Sequence, residues 1–220
     1  VTVTTDVIAR EGQACRATLQ ALGPDAATLC GDWTTADLAA HLTTAGFLGG
    51  VPTFLGRRLV AAGIRLNDRA ANRAAAAGLG RRYKRKGFEW ALERIGGTPP
   101  RLHTRPAVAA VTLFEIWTHH EDVRRANGMG PDPGREYPEL ADCLAFVARY
   151  HRGHLGAATW VVEPAGDGEA WRWGSGAAEI VVSGPMGEAL LWAAGRHRVA
   201  QVGVEAPDAL MSTLRARLFV

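Results

Sequence analysis

Glu115-Ile116-Trp117-Thr118-His119-His120-Glu121-Asp122 is the stretch from which the rest of the chain is read. It sits in a segment that starts at Pro106, runs through Val108, Val111, Phe114, Ile116 and His119 to Ala126, and meets the terminator Asn127-Gly128. Proline fits the first turn of a helix and Asn-Gly its end, so this segment predicts one long helix. Glu115 and His119 are four residues apart and project from one face of it. A carboxylate and an imidazole on one face offer two ligands to a divalent metal. His120 points about 100° away from His119 and is not expected to join them. Asp122, three residues beyond His119, is placed to orient its free ring nitrogen.

A third ligand has to come from another helix. His41 lies in Trp33-Thr34-Thr35-Ala36-Asp37-Leu38-Ala39-Ala40-His41-Leu42. Thr34 reads as an N-cap, and Asp37 favours the helix N-terminus by its charge. Leu38 and Leu42 form an apolar stripe, and His41 lies beside it. His41, Glu115 and His119 are therefore the candidate metal set, and three protein ligands leave a coordination position open. Two imidazoles and a carboxylate suit Zn²⁺, with Fe²⁺, Ni²⁺ and Mn²⁺ also compatible. The plain alternative is a Glu–His helix contact worth a few tenths of a kcal/mol, with His41 a hydrogen-bonded core residue. His151 and His154, three apart, read better as a solvated helix end than as a rival metal pair.

Outward from these segments, Val7, Ile8, Cys15, Leu19 and Leu22 give Thr5–Leu22 helical periodicity, which Gly23-Pro24 ends. Phe88, Leu92 and Ile95 mark a short helix stopped by Gly96-Gly97. Residues 54–64 could form another helix, and 139–150 has Leu140, Leu144 and Val147 on one face. The character then changes. Thr159–Val162, Ala170–Trp173 and Glu179–Val182 are short β-type runs separated by glycine-rich turns. A helix over Pro185–Ala194, a strand over Val199–Val204 and a helix over Pro207–Leu218 complete a β-β-β-α-β-α tail. The expected class is α+β, with a helix bundle at 1–150 and a small α+β domain at 151–220.

Composition sets further bounds. The 220 residues are 47% hydrophobic, enough for one large or two small cores. No apolar run reaches the roughly 18–20 residues that span a bilayer, and no signal peptide is visible, so the expectation is a cytoplasmic protein without a membrane partner. Cys15, Cys30 and Cys143 form neither a metal-type pair nor a disulfide framework and read as reduced, buried thiols. Net charge is +3. The basic cluster Arg81, Arg82, Lys84, Arg85 and Lys86 is interleaved only by Tyr83, without a nucleic-acid motif, so no nucleic-acid partner is expected.

Two motifs together carry a resemblance. Leu29-Cys30-Gly31-Asp32-Trp33 running on to His41-Leu42, with Glu115 to Asp122 continuing as Val123-Arg124-Arg125-Ala126, resembles the DinB-like superfamily. Within it the chain is similar to the mycothiol-dependent maleylpyruvate isomerase group of actinobacteria, in a branch described as metal-binding. The tail agrees: Val181-Val182-Ser183-Gly184-Pro185 followed by Leu190-Leu191-Trp192-Ala193-Ala194-Gly195-Arg196 is similar to the group's small, sterol-carrier-like C-terminal domain. Thr43 to Gly97 carries no family signature.

The resemblance implies a four-helix bundle with a divalent metal, zinc first, on His41, Glu115 and His119. It implies mycothiol as thiol cosubstrate and a small electrophilic substrate. The activity implied is isomerisation or S-transfer through a metal-bound thiolate. Arg196 is the candidate catalytic cation for an acidic substrate. Its alternative reading is a charge satisfying a helix C-terminus. Two other functions stay open, a non-catalytic module stapled by its metal and a metal-assisted hydrolase. The chain is expected to be a monomer or homodimer.

Overall fold

Thr4 opens helix α1 (Thr5–Leu22): its Oγ1 accepts the Val7 N–H at 3.4 Å, and Gly23, at φ +79°, closes the helix by donating to the Leu19 carbonyl. Positive φ is costly for a side chain, which is why glycine ends this helix. The computed structural model describes residues 3–48, 85–99, 105–155, 158–163 and 169–212. The expected helix over 54–64, most of the 81–86 basic cluster and the side chains of His151 and His154 lie outside the described residues. None of the described helices is long and apolar enough to cross a membrane. The chain is a mixed α+β protein whose chain divides into two compact units, Thr4–Gly130 and Pro131–Val220 with Val1–Val3.

In the first unit, α1 packs against α3 (Phe88–Ile95) and α4 (Pro106–Ala126), and α2 (Thr35–Leu48) packs against α3 and α4. Thr34 caps α2 by a reciprocal pair. Its N–H donates to Asp37 Oδ2 at 3.1 Å, and its Oγ1 accepts the Asp37 N–H at 3.4 Å. This is a capping box, with aspartate in the place usual for glutamate. Pro106 stands in the first turn of α4. Cys15, Leu19, Leu38, Ala39, Leu42, Ala91, Leu92 and Val123 form the core. Helices α1 and α3 meet closely at Gly12, where an added Cβ would lie 2.5 Å from the Ile95 carbonyl oxygen.

In the second unit, α5 (Leu140–Leu155) precedes a four-stranded sheet of order β2-β1-β3-β4. Strands β1 (Ala158–Glu163) and β3 (Ala178–Ser183) pair in parallel, Trp160 opposite Ile180. Strands β2 (Trp171–Trp173) and β4 (Gly203–Glu205) add antiparallel edges. β1 is buried from Ala158 to Val162, as befits a central strand. α6 (Met186–Ala193) is buried from Gly187 to Ala193, with Trp192 edge-on to Trp160 at 5.6 Å between rings. Buried carboxylate Glu188 takes the Gln201 N–H at 2.7 Å, and Glu136 takes the Gly187 N–H at the positive end of α6.

Two boundaries differ from the sequence expectation. The units divide at 130/131 and not at 150/151, because α5 packs on α6 and the sheet. Its amphipathic stripe shows that a face is buried and does not say against what. The expected strand 199–204 shrinks to Gly203–Glu205, because the Val199 and Ala200 N–H groups both donate to the Arg196 carbonyl in a helical turn.

Because Gly12 has no room for a Cβ, Gly12→Ala should overpack the α1–α3 contact and cost about 1–3 kcal/mol despite alanine's better helix propensity. Denaturant unfolding of the two proteins checks this, and an equal or higher midpoint for the variant would contradict it.

Candidate metal centre

Helix α4 carries Glu115 and His119 one turn apart, and α2 brings His41 to them. Glu115 Oε2 lies 3.7 Å from His41 Nε2 and 3.6 Å from His119 Nε2, and the three ligand atoms are all within 4.8 Å of one another. Ligands on a tetrahedral zinc at 2.0–2.1 Å stand roughly 3.3 Å apart. The glutamate pairs would need to close by only a few tenths of an ångström. The His41 and His119 rings meet edge to face, 4.9 Å between centroids, and Trp33 lies 5.2 Å from His41. His119 and His41 side chains are 14% and 20% exposed and Glu115 35%, so the donor set opens toward solvent on the carboxylate side.

Asp122 lies beside His119. Asp122, fully buried, sits 2.8 Å from His119 Nδ1 through Oδ2. With Nδ1–H donated to the carboxylate, Nε2 faces Glu115 and His41. Burial is the largest influence on His119 and works against its charged form. Hydrogen bonds with Asp122 and Cys30, then the charges of Glu115 and Asp122, outweigh it and raise the pKa from 6.5 to about 10.

His120 is turned away, as expected. It is buried between α4 and α1, with Nδ1 2.7 Å from Glu11 Oε1 and Nε2 2.8 Å from Thr18 Oγ1. Glu121 accepts from Arg124 Nε at 2.9 Å and Arg125 Nε at 2.6 Å. The polar side chains of this run are thus paired, and the His120 contacts tie α4 to α1 in rotation.

Two residues escaped the sequence reading. Cys30, taken as a plain buried thiol, donates to Asp122 Oδ2 at 3.2 Å and lies 3.6 Å from His119 Nδ1. Its signal was its position inside the Leu29–Leu42 motif. Glu11 lies on the Val7, Ile8, Cys15 stripe of α1, and an acid on an apolar stripe marks a buried partner. Arg196 belongs to the second unit, where its Nη1 donates to the Ala194 carbonyl at 2.7 Å just past the end of α6.

No protein-family profile and no curated protein matches the chain. Among solved structures, it is similar to the one described as the crystal structure of the mycothiol-dependent maleylpyruvate isomerase. The identity is 18%, the TM-score 0.56, and the match covers 91% of this chain and 92% of that one. Its fold resembles that isomerase. A mutant of the same isomerase matches over the same shares with a TM-score of 0.48. At this identity the likeness concerns the fold.

A His119 pKa above its unfolded value stabilises the metal-free fold fully below pH 6.5, and this contribution is lost as pH rises toward about 10. Denaturant unfolding of the metal-free protein should therefore show stability falling across that window, with a shallower fall in His119→Gln. Parallel pH profiles for the two proteins would contradict the assignment.

Proposed function

We propose that this chain is a metal-dependent enzyme that uses a small thiol of the mycothiol type to isomerise or S-alkylate with an electrophilic substrate. The observation that carries the reading is the convergence of His41 Nε2, Glu115 Oε2 and His119 Nε2 beside an open, partly exposed edge. The fold likeness to a mycothiol-dependent isomerase and the two sequence motifs support the same reading. In this reading the first unit is a DinB-like four-helix bundle and the second a sterol-carrier-like domain.

The donor set fits a divalent ion such as zinc, with nickel or iron as alternatives. When bound, such an ion supplies the charge that keeps an incoming thiol deprotonated at neutral pH. The remaining work falls to the chain. Glu115 contributes the donor set's single negative charge, so a divalent site keeps net positive charge and favours an anionic fourth partner. Asp122 holds the Nδ1 proton of His119 and keeps Nε2 aimed inward. Trp33 packs on His41 and restricts its ring. For isomerisation, thiolate sulfur adds to a cis double bond, the resulting single bond rotates, and the sulfur leaves. For S-transfer, the sulfur stays and another group departs. Arg196 is proposed to bind an acidic substrate, for which its planar guanidinium suits a carboxylate. The exposed edge at Glu115 favours this chemistry over a metal that only staples the helices.

Purified protein should contain about one metal ion per chain, and His119→Ala should lose it. In the cobalt-substituted protein, adding mycothiol should shift the visible absorption. No metal in the wild type after growth with added zinc would overturn the reading. A cobalt spectrum that ignores the thiol would remove the thiol chemistry and leave a stapled binding module. Arg196→Ala should raise KM for an anionic substrate while leaving metal content unchanged, and Arg196→Lys should recover only part of the loss because lysine cannot bind bidentately. An unchanged KM would return Arg196 to its helix end.

A further inference from the structure

Resting on the metal reading above, the geometry points to Cys30 as a positioning residue that holds the Asp122 carboxylate on His119. Two donors converge on one oxygen, Asp122 Oδ2: the His119 ring at 2.8 Å and the Cys30 thiol at 3.2 Å. Asp122 is fully buried, so its carboxylate depends on protein donors. The segment bearing Cys30 is tied to α4 at two further places. The Leu29 N–H donates to the Asp122 carbonyl at 3.1 Å, and Asn127 Nδ2 donates to the Ala27 carbonyl at 3.0 Å. Thr28 Oγ1 accepts the Cys30 N–H at 3.1 Å and donates to the Trp33 carbonyl at 2.9 Å. The thiol is therefore delivered to Oδ2 by a loop that has little freedom to withdraw.

A carboxylate gripped only by a histidine can turn about its own χ2 and carry the ring with it. A second donor from a different element removes that rotation. Small errors in ligand aim are costly, and partners behind a metal ligand typically change metal affinity by about 10–100-fold when removed. The same three groups, Cys30, His119 and Asp122, are close enough to be considered for an ion of their own. The 2.8 Å separation of Nδ1 and Oδ2 argues against it. Ligands of a tetrahedral ion stand roughly 3.3 Å apart, whereas a charged hydrogen bond is this short.

The test is Co²⁺ titration of the full-length metal-free protein, read by visible absorption, for the wild type, Cys30→Ala, Cys30→Ser, Asp122→Asn and the Cys30→Ala/Asp122→Asn pair. Thermal melts of each apo-protein separate folding from site effects. Cys30→Ala should weaken Co²⁺ binding by about tenfold, the low end for such partners because it acts through Asp122. Cys30→Ser, whose hydroxyl can still donate to Oδ2, should restore most of it. The double variant should be no weaker than Asp122→Asn alone, since Cys30 acts only through the Asp122 carboxylate. Unchanged affinity and spectrum in Cys30→Ala would overturn the proposal, as would a Cys30→Ser variant as weak as Cys30→Ala, which would make the effect one of packing. A second cobalt per chain with a thiolate band lost in Cys30→Ala would also overturn it, by making Cys30 a ligand. A wild type that binds no cobalt would sink the metal reading itself, which the other outcomes leave standing.

Discussion

A fully buried carboxylate must be paired, and at Asp122 that constraint organises the candidate site. Its side chain faces His119 and Cys30, while its backbone carbonyl takes the Leu29 N–H. One residue thus orients a candidate ligand on α4 and ties the loop leading into α2, the helix that carries His41. Position the loop differently and the third donor does not meet Glu115 and His119.

The same economy runs along α4. Residues 118 to 122 are all polar and, His119 apart, buried. Such a stretch is tolerable only if each charge finds a partner at short range. His120 reaches across to Glu11 and Thr18 on α1, and Glu121 folds back onto Arg124 and Arg125. The Glu121 pairs stay within α4, whereas the His120 contacts reach α1, so α4 cannot rotate without breaking the latter. The fixed rotation aims Glu115 and His119 at α2. Thr118 Oγ1 is a buried hydroxyl without a hydrogen bond among the described residues.

Much of the architecture was legible because it depends on local rules. Glycine after Leu22, proline at 106, Thr34 with Asp37, and the paired glycines after Ile95 each act through backbone geometry within a few residues. Helices α1 and α3 follow from them closely. Val199–Val204 misled because valine spacing looks the same in a strand as in the turn that Arg196 caps. Helix α5 was legible as a helix and illegible as a member of the second unit, since its stripe records burial without naming the partner.

At the candidate site the division is equally clear. Sequence by itself determined the Glu115–His119 pair and the Asp122 position, because a helix places residues three and four apart on one face whatever surrounds it. It also singled out His41 as the candidate third donor, from its place in a capped helix. Only the tertiary structure decided that His41 Nε2 comes within 3.7 Å of Glu115, that Cys30 shares the Asp122 oxygen with His119, and that Glu11 pairs with His120. Those contacts join residues far apart in the chain. No local periodicity encodes them; they follow from how α1, α2 and α4 pack and from the need to pair every buried charge.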